Sequence, residues 1–159
     1  MAKVKKTWRE KLADDKDLPK VEKISGRMIK TCGEGTMVIP APREVDAVMA
    51  KVRKGKLANI NSIRAVIAKD HEATTACPIC TGIFAWISAN AAQEAIEAGA
   101  KRVTPYWRTL KGENEINPKY PGGIAAQKAL LEAEGHQVVM KGKRALVVDA
   151  GKRMLKVAE

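Results

Sequence analysis

The chain has 159 residues and a mass of 17.3 kDa, which suits one compact domain with a small extra element. Its formal net charge of +11 and pI near 9.7 favour a polyanionic partner, because each Lys or Arg that neutralises a phosphate releases a condensed counterion. No apolar run approaches the roughly 20 residues needed to span a bilayer, and the N-terminus has no signal-peptide core. We therefore expect a cytoplasmic, nucleoid-associated protein that has no membrane contact.

The first 41 residues are predicted to form a basic N-terminal arm. Thr7 can cap a short helix that runs to Leu12, and Pro19 interrupts the segment soon afterwards. The short apolar run 37–40 predicts a strand or an extended lead-in. Such an arm is either simply solvated or contacts phosphates. Its leading basic residues are Lys3, Lys5, Lys6, Arg9 and Lys11.

A first amphipathic helix is predicted from Pro42, a residue well suited to the first helical position. The apolar residues Val45, Val48, Met49 and Val52 follow at i, i+3, i+4 and i+7, which places them on one face. The segment 54–56 ends this helix, and 57–60 is predicted to be a short extended link.

Two further helices are predicted to form a helix-turn-helix. Asn61 or Ser62 can cap the first of them, and Thr74 or Thr75 can cap the longer second one, which runs to about residue 98. In a helix-turn-helix the second helix enters the major groove of DNA. Trp86 on this helix belongs either to the groove-facing side or to the core.

The C-terminal part predicts one more helix and a hairpin. Gly122-Gly123 opens the helix, which extends from Ile124 to about Glu134 and ends at Gly135. Two apolar runs, 137–140 and 145–148, then flank the basic turn 141–144, which is a hairpin signature. The turn could be a wing on the phosphate backbone or a solvated turn on a strand pair that closes the core.

Three motifs in this order carry a family resemblance: Pro105-Tyr106-Trp107-Arg108, then Tyr120-Pro121-Gly122-Gly123, then Glu134-Gly135-His136. Their order and spacing resemble the active-site region of the O6-alkylguanine-DNA alkyltransferases. The pattern in that family is Pro-Cys-His-Arg, an aromatic-x-Gly-Gly turn and Glu-Gly-His. Tyr106 stands where the family has its alkyl-accepting cysteine, and Trp107 stands where it has the activating histidine. The chain therefore resembles the alkyltransferase-like proteins, in which that cysteine is replaced.

The resemblance, which covers about residues 42–136, implies a mainly α fold. We expect a winged helix-turn-helix-like domain at 42–136, preceded by the arm at 1–41 and followed by a β-hairpin and tail at 137–159. The residues of the implied lesion pocket are Tyr106, Trp107, Arg108, Tyr120, Gly122, Gly123 and Glu134. The residues expected to contact DNA are Lys54, Lys56, Asn61, Arg64, Cys77, Thr81, Lys141, Lys143 and Arg144.

The chemistry of alkyl transfer is missing from these motifs. A phenol such as that of Tyr106 has a reference pKa near 10 and is a weak nucleophile, and the indole of Trp107 cannot act as a base. We therefore expect no catalytic residue, and Glu134 should cap its helix or pair locally. The resemblance implies double-stranded DNA as partner, recognition of O6-alkylguanine or related damage for repair, and excision-repair proteins as further partners. In this interpretation a flipped purine stacks on Tyr106 or Trp107 or is contacted by the edge of one of these rings.

Two other functions stay open. The family's base-flipping tyrosine corresponds to Ile60, and its intercalating arginine corresponds to Cys77, so the chain could be a general or regulatory winged-helix DNA-binding protein without flipping. The Cys77-x-x-Cys80 motif could instead serve a thiol-dependent enzyme. Its cysteines are structural, redox-active or half of a zinc site that His71 or His136 would complete; we expect no metal or cofactor. We expect a monomer, and the sequence does not distinguish DNA from RNA.

Overall fold

The computed structural model describes residues 5–155. The first four residues of the predicted arm, Lys3 included, and the last four of the predicted tail lie outside the described residues. The helices are α1 (Trp8–Ala13), α2 (Met28–Cys32), α3 (Pro42–Ala50), α4 (Ile60–Asp70), α5 (Pro78–Glu97), α6 (Gly123–Ala133) and α7 (Ala150–Arg153). The strands are β1 (Lys20–Lys23), β2 (Thr36–Ile39), β3 (Ala58–Asn59), β4 (Thr75–Ala76), β5 (Thr109–Leu110), β6 (Val138–Lys141) and β7 (Arg144–Val147). A single 3-10 turn covers Tyr106–Arg108.

The main core forms where α3 and α4 pack on the long helix α5. The predicted apolar face of α3 is confirmed, since Val45, Val48, Met49 and Val52 are all buried. They meet Ile63 and Ile67 of α4 and the alanine-rich inner face of α5 in one cluster. Small alanines on α5 allow its neighbours to approach closely, which explains how a chain with few aromatic residues builds a dense core.

The helix-turn-helix pair begins at other residues than predicted. Asn59, and not Asn61 or Ser62, caps α4: its Oδ1 accepts from the Ser62 amide at 2.7 Å, and the Ser62 hydroxyl accepts from the Asn59 amide at 2.9 Å. Cys77, and not Thr74 or Thr75, caps α5, because 75–76 is drawn into strand β4. A short helix, a tight connection and a longer helix are present, as predicted.

The predicted N-terminal arm is packed on the helices in its described part. Strand β1 pairs antiparallel with β2, and β2 pairs parallel with β4, so the segment before residue 41 joins the connection between α4 and α5. The strand predicted near 37–40 is confirmed as β2, and Ile24 is buried. The boundary after residue 41 stays a prediction, but the idea of a free solvated arm is wrong for residues 5–41.

The C-terminal segments form a second, smaller core. Strands β3 and β5 pair in parallel, and the predicted hairpin is confirmed as β6 and β7, with Val138 opposite Val147. Its buried residues include Leu57, Leu110 and Leu131. The hairpin therefore closes a core, whatever its basic turn contacts.

Helix α6 starts where the glycine pair predicted it. Gly122 has φ +78°, and a Cβ there would lie 2.4 Å from the Cβ of Ala126. A larger residue would be strained at this position and would also clash, so the turn into α6 depends on glycine. Among residues 5–155, no helix is long and apolar enough to cross a membrane.

Candidate nucleic-acid interface

A nearly buried ion pair joins Glu134 of the Glu134-Gly135-His136 motif to Arg108 of the Pro105-Tyr106-Trp107-Arg108 motif. The Glu134 carboxylate accepts from Arg108 Nη2 at 2.7 Å, from Arg108 Nε at 2.9 Å and from Trp107 Nε1 at 3.1 Å. The two charged side chains are only 14% and 9% exposed, and Arg108 Nη1 also donates to the Val52 carbonyl at 2.7 Å. The predicted local pairing of Glu134 is confirmed, and most of the hydrogen-bonding capacity of Arg108 is used inside the protein.

The pKa of Glu134 reflects this arrangement. Burial acts to raise the pKa of the carboxyl, but the hydrogen bonds from Arg108 and Trp107 more than offset it and hold the pKa below its ordinary value. The carboxylate is therefore charged at neutral pH and joins the 3-10 turn to the end of α6.

Tyr106 and Tyr120 belong to the main core. Each is 3% exposed, and their ring centroids lie 6.0 Å apart at an interplanar angle of 80°. Tyr106 also meets Trp107 edge-on, at 5.4 Å between centroids. Burial raises the pKa of the Tyr106 phenol, which keeps it protonated and makes it a still weaker nucleophile. At 3% exposure Tyr106 offers no open face on which a base could stack, and a contact of a base with its edge or with Trp107 stays a prediction.

A cleft of about 730 Å³ lies between α5 and α6, and we call it the α5–α6 cleft. Of the predicted pocket residues, Tyr106, Trp107 and Gly122 line it. Gly123 begins α6 instead, and Tyr120 is buried. The structure thus divides the predicted pocket among a cleft, an ion pair and the core. The other lining residues of the α5–α6 cleft are Gln93, Ile96, Glu97, Pro121, Ala126, Ala129 and Leu130.

A second cleft, of about 590 Å³, lies at the start of α5, and we call it the α5 N-terminal cleft. Its floor is an exposed apolar stripe of Ile79, Ile83 and Trp86, of which Ile79 is 66% and Ile83 47% exposed. Its other lining residues are Ile60, Asn61, Pro78, Gly82, Lys111, Gly112, Asn117, Pro118 and Lys119. Of the predicted DNA-contacting residues, Asn61 alone lines this cleft.

The sequence carries a signal for this stripe that its motifs do not show. Helix α5 is apolar all round, and its buried face is formed by residues such as Thr81, Phe84 and Ser88. Ile79, Ile83 and Trp86 recur at i, i+4 and i+7 on another face. A domain of this size buries one face of a surface helix, so a second apolar stripe indicates a binding surface.

A lysine-bearing loop forms the outer wall of the α5 N-terminal cleft. Lys111 and Lys119 are exposed on its rim, and the Trp86 indole donates to the Lys119 carbonyl at 3.2 Å. Arg144 of the hairpin holds the loop through Glu113 at 2.5 Å and Glu115 at 3.4 Å. Arg144 is therefore engaged in the protein, although it was expected to contact DNA.

Three more residues expected to contact DNA have structural roles. Thr81 is fully buried and donates its hydroxyl proton to the Cys77 carbonyl at 2.7 Å, and Cys77 is buried at the helix cap. Arg64 donates through Nε to the Ala76 carbonyl at 2.8 Å, which fixes the connection between α4 and α5. Lys54, Lys56, Asn61, Lys141 and Lys143 are exposed, and their contacts with DNA stay predictions.

Cys80 lies in a setting that suppresses the reactivity of its thiol. Cys77 Sγ accepts from the Cys80 amide at 3.4 Å. Burial first, and then the contact with Cys77, raises the pKa of the Cys80 thiol to about 11. No cluster of three or more metal-ligating side chains occurs among residues 5–155. The geometry gives the cysteines a capping role.

We expect Cys80 to react slowly with a disulfide reagent at pH 7.5. A rise in pKa from 9.0 to about 11 lowers the thiolate fraction by about a hundredfold, so labelling should be roughly tenfold or more slower than in the urea-unfolded chain. Timed mass spectrometry of a Cys32→Ser variant measures this rate.

A Cys77→Ser, Cys80→Ser variant tests the alternative of a thiol-dependent enzyme. If the protein binds DNA without using its thiols, the variant should bind DNA as the wild type does. Loss of DNA binding in the variant would favour a thiol-dependent enzyme.

Comparisons with known proteins found similar solved structures only. No protein-family model and no curated protein matches the chain. One similar structure is S. pombe Atl1, an alkyltransferase-like protein, in complex with damaged DNA containing O6-carboxymethylguanine: TM-score 0.48, 16% identity, 72% of this chain and 94% of that chain covered. Another is S. pombe ATL in complex with DNA: TM-score 0.47, 15% identity, and the same shares of 72% and 94%. The resemblance predicted from the three motifs is to the same group of proteins.

Proposed function

We propose that the protein binds double-stranded DNA without catalysis and recognises O6-alkylguanine or related damage. The observation that carries the proposal is the α5 N-terminal cleft, an open apolar floor of Ile79, Ile83 and Trp86 with Lys111 and Lys119 on its rim. A purine base has two flat faces that stack on apolar surfaces, and it is attached to a negatively charged backbone. This cleft suits the base, while the rim lysines can meet the flanking phosphates.

Selectivity for damage follows from the energetics of flipping. Extruding a base costs a few kcal/mol, and the cost is lowest for a base that is already poorly paired. An O6-alkyl group disturbs pairing, and its methyl group gains about 0.8 kcal/mol when it is buried on an apolar floor. The residues that line the α5 N-terminal cleft include no cysteine, so a base bound there would meet no thiol that could accept its alkyl group.

The same proposal assigns roles to the surrounding elements. Helices α4 and α5 act as a helix-turn-helix that presents the cleft to the duplex, and the hairpin β6–β7 acts as a wing through Lys141 and Lys143. We place the protein in the cytoplasm as a monomer at the nucleoid, where it marks lesions for excision-repair proteins. Support comes from the net charge of +11 and from the exposure of both lysines.

Fluorescence anisotropy with matched duplexes tests the proposal. Two labelled duplexes that differ by one O6-methylguanine are titrated with the protein over a series of salt concentrations. We expect tighter binding to the modified duplex at every salt concentration. Equal binding to both duplexes would refute damage recognition and leave a general DNA-binding protein.

One observation favours that second function. The residue at the cap of α5 is the buried Cys77, where the alkyltransferases have an intercalating arginine. A protein that lacks this wedge must stabilise the flipped state through the cleft alone. The comparison of the two duplexes therefore decides between damage recognition and general or regulatory binding.

The wing is testable separately. A Lys141→Ala, Lys143→Ala variant should bind both duplexes more weakly by the same factor. The slope of log K against log salt should fall by about 2, because each lysine that leaves a phosphate removes about one released counterion. Replacement of Lys16, an exposed lysine of the N-terminal segment, by Ala is the control. An unchanged slope in the double variant would show that the hairpin turn is only solvated.

A further inference from the structure

Helix α1 is attached to α5 by a carboxylate. Glu94 of α5 accepts from the backbone amide of Trp8 at 3.0 Å and from that of Arg9 at 3.3 Å. The Arg9 side chain also lies 3.4 Å from Glu94. Amides in the first turn of a helix have no intrahelical partner, and a carboxylate placed there satisfies them. The position of α1 on α5 is thereby fixed.

The attachment brings one tryptophan against another. The Trp8 ring meets the Trp86 ring edge-on, with 4.8 Å between centroids and an interplanar angle of 82°. Trp86 lines the α5 N-terminal cleft, and its indole donates to the Lys119 carbonyl in the outer wall. A line of contacts therefore runs from α1 through two indoles to the loop that closes the cleft.

We propose that Trp8 is a positioning residue for the α5 N-terminal cleft. It holds Trp86 in the rotamer that both forms the cleft floor and hydrogen-bonds the Lys119 loop, and so it sets the affinity for a flipped base. Trp8 does not line the cleft and acts only through Trp86. This role rests on the proposed function. It gives the N-terminal segment a part in specificity that is separate from any phosphate contacts of its lysines.

Trp8 restricts the rotamers of Trp86 because it occupies the space beside the Trp86 ring. Without its ring, one side of Trp86 faces solvent, new rotamers become available, and each of them loses the bond to Lys119. Edge-to-face pairs of this kind contribute enough to change an affinity roughly three- to tenfold. Phosphate contacts elsewhere on the surface are unaffected by this change.

The test measures binding and loop exposure in Trp8→Ala, Trp8→Phe and Lys5→Ala variants. For Trp8→Ala we expect roughly three- to tenfold weaker binding to the O6-methylguanine duplex, with unchanged binding to the unmodified duplex and an unchanged salt slope. Trp8→Phe should restore most of the preference, and Lys5→Ala should leave it intact. In the free protein, hydrogen–deuterium exchange of the Lys119 and Tyr120 amides, which both donate to Asn117, should be faster in Trp8→Ala alone.

Three results would overturn the inference. Unchanged preference in Trp8→Ala would show that Trp86 needs no support. An equal loss for both duplexes with a smaller salt slope would make the segment a phosphate-contacting arm. Unchanged exchange of the Lys119 and Tyr120 amides would show that Trp8 does not reach the loop. If the wild type itself shows no preference, the proposed function fails, while the exchange measurement still decides whether Trp8 positions the loop.

Discussion

Replacing Ile83 by Asp should abolish the preference for the modified duplex while leaving the fold intact. Ile83 is 47% exposed on the floor of the α5 N-terminal cleft and is not part of the buried core, so an aspartate side chain at this position can reach water in the free protein. A carboxylate on that floor would have to lose its water when a base enters, and the floor offers it no partner. Desolvating an unpaired charge costs several kcal/mol, so we expect affinity for the modified duplex to fall by about thirtyfold or more. Fluorescence anisotropy measures the change.

Ile96→Asp is the matched control for this variant. Ile96 lies on the same helix, is 42% exposed and lines the α5–α6 cleft instead. Both variants lower the net charge equally, so any loss of electrostatic attraction to DNA is common to them. If Ile96→Asp abolishes the preference and Ile83→Asp does not, the base is bound beside Tyr106 and Trp107, and our assignment of the cleft is wrong.

The largest effect on stability should come from Glu134. In Glu134→Ala the nearly buried Arg108 loses its carboxylate partner, and breaking a buried pair on one side costs about 3 kcal/mol or more. The melting temperature should fall by roughly 10 °C for a domain of this size. Glu132→Ala, two residues away on the exposed face of α6, should change it by no more than a degree or two. Thermal unfolding at pH 7 checks both values.

The stability contributed by Glu134 should also depend on pH. Its folded-state pKa lies below the ordinary value of 4.5, so the unfolded chain binds the proton more readily. The contribution is complete above pH 4.5 and is lost as the pH falls towards the lowered folded pKa. The difference in unfolding free energy between wild type and Glu134→Gln should therefore shrink as the pH is lowered from 7 to about 3. A constant difference would mean that Arg108 does not stabilise the charged carboxyl.

The sequence was sufficient for elements with a strong local pattern. The apolar stripe from Val45 to Val52 predicts α3, the pair Gly122-Gly123 predicts the start of α6, and the basic turn between apolar runs predicts the hairpin. The local pairing of Glu134 was also predictable, because Trp107 replaces the histidine that this glutamate would otherwise polarise. In each case the evidence lies within a few residues, and tertiary contacts did not override it.

The rest depended on contacts between distant parts of the chain. All four residues of β1 are exposed, so they show no alternation that would reveal a strand. Thr75 was expected to cap α5 but is drawn into β4 by pairing with Met37. Thr81 was expected on a groove-facing side, yet it faces the core, because both faces of α5 are apolar and the sequence does not say which is buried. The α5 N-terminal cleft was missed for the same reason.

The sheet that joins β2 to β4 also has a mechanical consequence. The connection between α4 and α5 is held from outside the helix pair: Ala76 lies between Val38 of β2 and the Arg64 guanidinium, and Thr74 exchanges two hydrogen bonds with Thr36. The angle between the two helices therefore depends on a strand that lies far away in the sequence. Removing the segment before residue 41 would free this connection, so a shortened chain that starts at α3 should not keep the helix pair in the same arrangement.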